Sequence, residues 1–301
     1  MIIKLVFGLA LLLFICFKVY SSLSNEEFDN LVFSDQAGLL ILAACILMPL
    51  NWLLETMKWH VLVNRLEKHS FKHTIRDVLA GISTSILTPN RIGNFIGRTI
   101  NLNKDIRTKA VVSTIHSNLA QFTASIFFGL AGLFLVVFDE SVVDLVMVRW
   151  STLVVLAIGL MVYFFPKIID FNPLSKLYSD QMKESITEVQ KEPFSLKCGI
   201  LALSLLRYCV FLIQFYLCLS CFQSDLDIQF ILPAIAVVFL ITTIIPSFLF
   251  GKLFIREASA LFVLTSFGIS TPAILYSVFI LWFLNLAIPS MLGGLILMKS
   301  K

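Results

Sequence analysis

Residues 76–109 read RDVLAGISTSILTPNRIGNFIGRTINLNKDIRTK, and this stretch decides the fold. Lys72 and Arg76 precede its apolar part; Lys104, Arg107 and Lys109 follow it. The apolar part is about 21 residues long, enough for one spanning helix, but Thr88-Pro89-Asn90-Arg91-Ile92-Gly93 breaks it in the middle. If basic loops stay in the cytoplasm, both ends lie on one side, and the segment enters the membrane, turns at Pro-Asn-Arg and comes back out. Irregular backbone at membrane depth survives only where protein or a water-filled cavity satisfies it. A re-entrant hairpin over about 77–98 therefore predicts a site, and its turn carries an arginine.

Outward from the hairpin, the composition fixes the class. Of 301 residues, 58% are hydrophobic and only 14% charged, which excludes a soluble catalytic domain and describes an all-α polytopic membrane protein. The first helix, roughly 2–20, resembles a signal peptide but has no A-x-A-like site before Ser21, so it is read as uncleaved. An acidic loop with Glu26, Glu27, Asp29 and Asp35 follows. A second helix, roughly 38–59, leads to the basic loop before the hairpin. Helices over roughly 110–138 and 149–165 follow, then the polar stretch Pro173–Pro193, read as an amphipathic surface helix or a solvated connector. Helices over roughly 198–222 and 272–297 complete the chain.

Between those last two lies a second odd segment, about 229–269, broken at Pro246 to Gly251. It is either two full spans or a second hairpin entering from the other side. In the latter case helix, hairpin, helix occurs twice in inverted sense, a transporter pattern. The prediction is thus six to eight transmembrane helices, one or two re-entrant hairpins, and an inverted repeat if the second hairpin holds. The chain forms a single membrane domain with a first half at about 1–165, a cytoplasmic connector at about 166–197 and a second half at about 198–301. Basic-loop bias puts both termini in the cytoplasm.

Polar residues inside apolar helices mark candidate sites. Asn51, Glu55 and Lys58 share one helix face at i, i+4 and i+7; Glu55 needs a partner, for which Lys58, Arg91 and Arg98 are candidates. Arg91 and Arg98 are seven apart, and Gly93 and Gly97 offer a smooth face for close approach. Pro89 stops the first arm and Asn90 is placed to cap the second, so that free N–H groups and Arg91 face an anion. Thr114, Asn118, Gln121 and Ser125 form a stripe that serves as interhelical glue or as the lining of a polar path. Arg207 stands near mid-membrane seven residues before Gln214. Lys252, Arg256 and Glu257 follow the second break, and Arg256 and Glu257 pair with each other or with Arg207.

Other signals are weaker. The six cysteines lie in or beside apolar runs, and Cys218-x-x-Cys221 reads as apolar filler. His69-x3-His73 has metal-ligand spacing but no carboxylate cluster nearby, so no metal and no cofactor is expected. No P-loop or G-x-S-x-G is present, and no basic patch outside the membrane-flanking loops suggests nucleic acid.

The motifs Asn51-Trp52-x-x-Glu55-x-x-Lys58-Trp59, Thr88-Pro89-Asn90-Arg91-Ile92-Gly93 with Gly97-Arg98, Pro246 with Gly251-Lys252, and Arg256-Glu257-Ala258 together resemble the lysylphosphatidylglycerol synthase transmembrane region family, also described as flippase-like. The resemblance covers nearly the whole chain. It implies movement of phospholipid across the bilayer and, without a soluble synthase domain, no synthase activity. The family pattern often has Glu where this chain has Asn94.

The expectation is therefore a lipid translocator of the bacterial cytoplasmic membrane, not an enzyme, acting on an anionic phospholipid or lipid-linked headgroup. Its binding residues are Asn51, Glu55, Pro89, Asn90, Arg91, Gly93, Arg98, Gln121, Arg207, Lys252, Arg256 and Glu257. The partners are membrane lipids, with a homo-oligomer or an envelope-complex partner as further options. The rival readings are an intramembrane lipid-modifying enzyme with Glu55 or Glu257 as base, and a non-catalytic subunit of an envelope-assembly complex.

Overall fold

The computed structural model describes residues 31–86, 92–136, 145–165, 180–245 and 251–299, together with Ile15, Phe17, Tyr20, Ser21 and Thr88. Most of the first predicted helix, both acidic loops for the greater part, the turns at Pro89-Asn90-Arg91 and at Pro246, and the start of the polar connector lie outside these residues.

The described chain is helical: α1 Ala37–Val63, α2 Phe71–Ile86, α3 Gly93–Thr99, α4 Arg107–Leu135, α5 Leu145–Phe164, α6 Asp180–Gln190, α7 Phe194–Ser220, α8 Ile228–Ile244, α9 Gly251–Leu264, α10 Thr271–Trp282 and α11 Ile288–Lys299. A π-helical turn, Phe283–Ala287, joins α10 to α11. Among the described residues four helical stretches are long and apolar enough to cross a membrane: Ala37–Val63, Lys104–Leu135, Phe194–Ser220 and Thr271–Lys299. Leu153–Phe164 and Ile228–Ile244 are apolar but shorter.

Side-chain placement on α1 shows which solvent the fold is built for. Leu39, Leu42, Ile46, Leu50, Leu53, Met57 and Val61 recur every three or four residues and are all exposed, while Asn51, Glu55 and Lys58 are buried. An apolar stripe outside and a charged stripe inside is stable when the surroundings are hydrocarbon.

The chain separates into two compact units, one comprising Asn51–Phe127, Asp144–Tyr208 and Pro289–Lys301, the other Met1–Leu50, Phe128–Val143 and Cys209–Ile288.

In the first unit, the broken segment forms a helical hairpin, not one continuous rod. Threonine hydroxyls tie its arms. Thr84 Oγ1 donates to the Gly93 carbonyl at 2.6 Å, and the Gly93 N–H donates to Thr88 Oγ1 at 2.7 Å. These bonds replace helical partners that the break removes. The arms differ from expectation in extent: the first begins at Phe71 and the second ends at Thr99. The N-cap position of α3 is Ile92, without a side-chain cap; Asn90, expected as the cap, lies outside the described residues. The Gly93 N–H is satisfied by Thr88.

Glycine sets the spacing of the arms. A Cβ on Gly97 would stand 2.6 Å from the Ala80 carbonyl oxygen and closer still to Thr84 Oγ1. Backbone cannot yield as a flexible side chain can, so Gly97→Ala is expected to lower stability by about 1–3 kcal/mol through overpacking, measured as loss of the folded, monodisperse fraction on heating in detergent. An equally stable variant would show that the arms are not in close contact.

The polar connector also belongs to the first unit. Its described helix is α6, shorter than the predicted 173–193 because the earlier residues lie outside the description. It is a docked element: Lys109 pairs with Glu188 at 2.9 Å, His116 Nδ1 lies 2.9 Å from Glu192 Oε2, and Lys197 Nζ donates to the Gln190 and Phe164 carbonyls at 3.2 Å.

In the second unit, α8 and α9 pack against each other as another hairpin. The 14 residues of α9 rise about 21 Å, and a 3₁₀ turn, Thr265–Phe267, follows them directly. The order long helix, hairpin, long helix thus occurs twice along the chain. Gln214 Nε2 donates to the Ala44 carbonyl, and Asn285, in the π-helical turn, donates to Gln214 Oε1, each at 2.8 Å. Cys218 and Cys221 are fully buried and fill the core.

Candidate functional site: a buried cationic cluster around Glu55

The sequence pattern of α1 places Asn51, Trp52, Glu55, Lys58 and Trp59 along one side at i, i+1, i+4, i+7 and i+8. The first unit folds two arginines onto that side, Arg98 from α3 and Arg207 from α7. Glu55 is ion-paired with all three cations: its Oε1 accepts from Arg98 Nη2 at 2.5 Å, and its Oε2 lies 2.9 Å from Lys58 Nζ and 3.0 Å from Arg207 Nη1. The Glu55, Lys58 and Arg98 side chains are at most 4% exposed, and that of Arg207 is 13% exposed.

Neutral groups hold the cations in place. Arg207 Nε donates to Asn51 Oδ1 at 2.7 Å and its Nη1 to Gln121 Oε1 at 3.3 Å. Lys58 donates to Ser204 Oγ at 3.2 Å and to Gln121 Oε1 at 3.4 Å. Arg98 Nε donates to Asn94 Oδ1 at 3.0 Å. Both guanidinium groups also lie over indoles, Arg98 at 5.8 Å from the Trp59 ring and Arg207 at 5.6 Å from that of Trp52, each contact contributing up to ~2 kcal/mol when desolvated.

The charge does not balance. Among the described residues three cations surround one carboxylate, a formal excess of two positive charges in a buried setting. Arg98 Nη1 is buried and has no hydrogen-bond partner among the described residues. Buried charge is costly unless paired, so the arrangement suits an incoming anion, and a guanidinium edge suits a phosphate or carboxylate oxygen.

Of the predicted binding residues, the structure brings together Asn51, Glu55, Arg98, Gln121 and Arg207. Gly93 contributes to the hairpin turn. Pro89, Asn90 and Arg91 lie outside the described residues. Lys252, Arg256 and Glu257 belong to the other unit, on α9: the Arg256 guanidinium lies 5.7 Å from the Phe239 ring, the carboxylate beside Arg207 is Glu55, and nothing is described of the Lys252 side chain. Sequence reasoning left out Lys58 as a site residue, although it had placed it on the Glu55 stripe. It also left out Ser204, which its position three residues before Arg207 on α7 could have flagged.

The second feature of this unit is a buried polar clip. Asp77 accepts from Asn101 Nδ2 at 3.3 Å, and its other oxygen lies 2.7 Å from His69 Nε2. His69 is thus engaged with Asp77, and His73 Nδ1 lies 2.7 Å from Ser70 Oγ. Among the described residues no group of three or more potential metal ligands occurs.

Helices with apolar outer faces, two helical hairpins and a charged interior define an all-α polytopic membrane protein. The chain belongs to the family described as the lysylphosphatidylglycerol synthase TM region, whose model matches residues 1–293. No curated protein and no solved structure matches it.

Proposed function

We propose that the protein translocates an anionic, phosphate-bearing lipid headgroup across the cytoplasmic membrane of a bacterium, with the acyl tails remaining in the bilayer. The observation that carries this reading is the excess of two positive charges around Glu55 among the described residues, joined to membership of a family related to lipid handling. A charged headgroup does not cross hydrocarbon unaided, because desolvation costs too much. At the cluster the lost water is replaced by Arg98, Arg207 and Lys58, and the phosphate in turn offsets the excess of positive over negative charge among the described residues. The distribution of Lys and Arg in the loops orients both termini to the cytoplasm. An enzymatic role for Glu55 is disfavoured, since its oxygens are occupied by three cations.

The test is reconstitution in liposomes with fluorescent phosphatidylglycerol or phosphatidylcholine, following the loss of outer-leaflet signal to a membrane-impermeant quencher. Phosphatidylglycerol is expected to cross at least about tenfold faster, the factor that one charge-assisted hydrogen bond supplies. Equal rates for the two lipids, or rates no greater than in protein-free liposomes, would overturn the reading.

A further inference from the structure

A second cationic feature of the same unit stands apart from the Glu55 cluster. His73 and Arg76, at i and i+3 in the first turns of α2, line a cavity of about 420 Å³ together with Asn101, Ile296 and Lys299. The register of α11 against α2 builds it. A Cβ on Gly293 would clash with the Leu79 carbonyl, and one on Gly294 would stand 3.5 Å from Ser83 Oγ, so the two helices approach closely and run antiparallel. That register carries Ile296 and Lys299, again three apart, to the turns that bear His73 and Arg76.

The lining has a definite chemistry. Arg76 and Lys299 supply two fixed positive charges and Asn101 a side-chain amide. Among the described residues none that lines the cavity is acidic. Asp77, the carboxylate next in sequence, is turned to His69 and Asn101. Among the described residues neither Arg76 nor Lys299 makes an ion pair. The contact between His73 Nδ1 and Ser70 Oγ fixes the ring and leaves Nε2 as its second polar edge. The volume falls within the ~300–1,000 Å³ usual for small-molecule sites.

We infer that this cavity is a binding site for a phosphomonoester, held between Arg76 and Lys299 with His73 and Asn101 as further hydrogen-bonding groups. A phosphomonoester carries about −1.5 to −2 charge at neutral pH and three acceptor oxygens, which matches two cations better than the single charge of a phosphodiester. Ile296 supplies an apolar wall for whatever the phosphate is attached to. The assignment concerns binding and does not rest on translocation at Glu55.

The full chain in detergent is titrated calorimetrically with dioctanoyl phosphatidic acid and, separately, with glycerol 3-phosphate. For the variant R76Q/K299Q, phosphatidic acid binding is expected to weaken at least about tenfold, and for Arg76→Lys to stay within about threefold of wild type. A parallel loss for glycerol 3-phosphate assigns the site to water-soluble phosphates; binding of phosphatidic acid alone assigns it to lipid. If the double variant does not fold, Lys299→Gln alone, at an exposed position in the last turn of α11, is expected to weaken binding about threefold. Binding unchanged in whichever of these variants folds, or no binding of either probe to wild type, overturns the assignment. Because phosphatidic acid also suits the Glu55 cluster, the same titrations are run in the Arg98→Gln background, where a loss of binding on adding R76Q/K299Q reports this cavity alone.

Discussion

Glu55→Gln is expected to lower the unfolding temperature in detergent by on the order of 10 °C, equivalent to about 3–5 kcal/mol. Among the described residues Glu55 is the carboxylate paired with three buried cations. Removing its charge keeps the side chain's shape but takes that ion-pair partner from all three. Breaking a buried pair from one side costs far more than the pair contributes, because the remaining charge stays desolvated. The second mutation in the cycle separates this from a general packing defect: adding Arg98→Gln to Glu55→Gln removes one orphaned charge and should recover part of the loss. Anionic lipid added to the Glu55→Gln protein should also raise its unfolding temperature, since a ligand that binds only the folded state stabilises it by mass action. A Glu55→Gln protein as stable as wild type would mean that the three cations do not depend on this carboxylate.

Much of this arrangement was legible in the sequence, for a physical reason. Helical periodicity is local, so the shared face of Asn51, Glu55 and Lys58 follows from spacing alone. The break at 88–93 is equally local, because proline and glycine act on their own turn. The pairing of Glu55 with Arg207 is different. The residues are far apart along the chain, and the cost of an isolated charge says only that each needs a partner, not which one it takes. The sequence therefore supplied Arg98 as one candidate for Glu55, and suggested that Arg256 and Glu257 pair with each other or with Arg207; tertiary packing sets Arg207 against Glu55. The capping of α3 depends on competition between local groups: the Thr88 hydroxyl takes the Gly93 N–H, while Asn90, read as the cap, lies outside the described residues. The docking of α6 was likewise hidden, since amphipathic spacing is the same whether the apolar face meets lipid or protein. Its ion pairs to Lys109 and His116 come from residues about 80 positions away.

The sharpest functional prediction joins Arg98 with Asn94. Arg98 has one nitrogen on Glu55, one on Asn94 and one buried without a partner among the described residues. If that third nitrogen receives the headgroup phosphate, Arg98→Gln should slow phosphatidylglycerol translocation at least about tenfold. It should have little effect on stability, because Glu55 retains Lys58 and Arg207. Asn94→Glu tests the same idea by addition. The amide oxygen of Asn94 already accepts from Arg98 Nε at 3.0 Å, so a carboxylate there brings a second negative charge to the cluster and reduces its excess from two to one. A merely structural cluster should become better balanced and no less functional. A cluster that draws in anions by its excess charge should hold or gain stability while losing anionic-lipid translocation, with its headgroup preference shifting toward zwitterionic lipid. Stability and transport moving in opposite directions on one substitution is a result that misfolding cannot produce. An Asn94→Glu protein that keeps both the wild-type rate and the wild-type preference for phosphatidylglycerol would show that the uncompensated charge around Glu55 is not what selects the substrate.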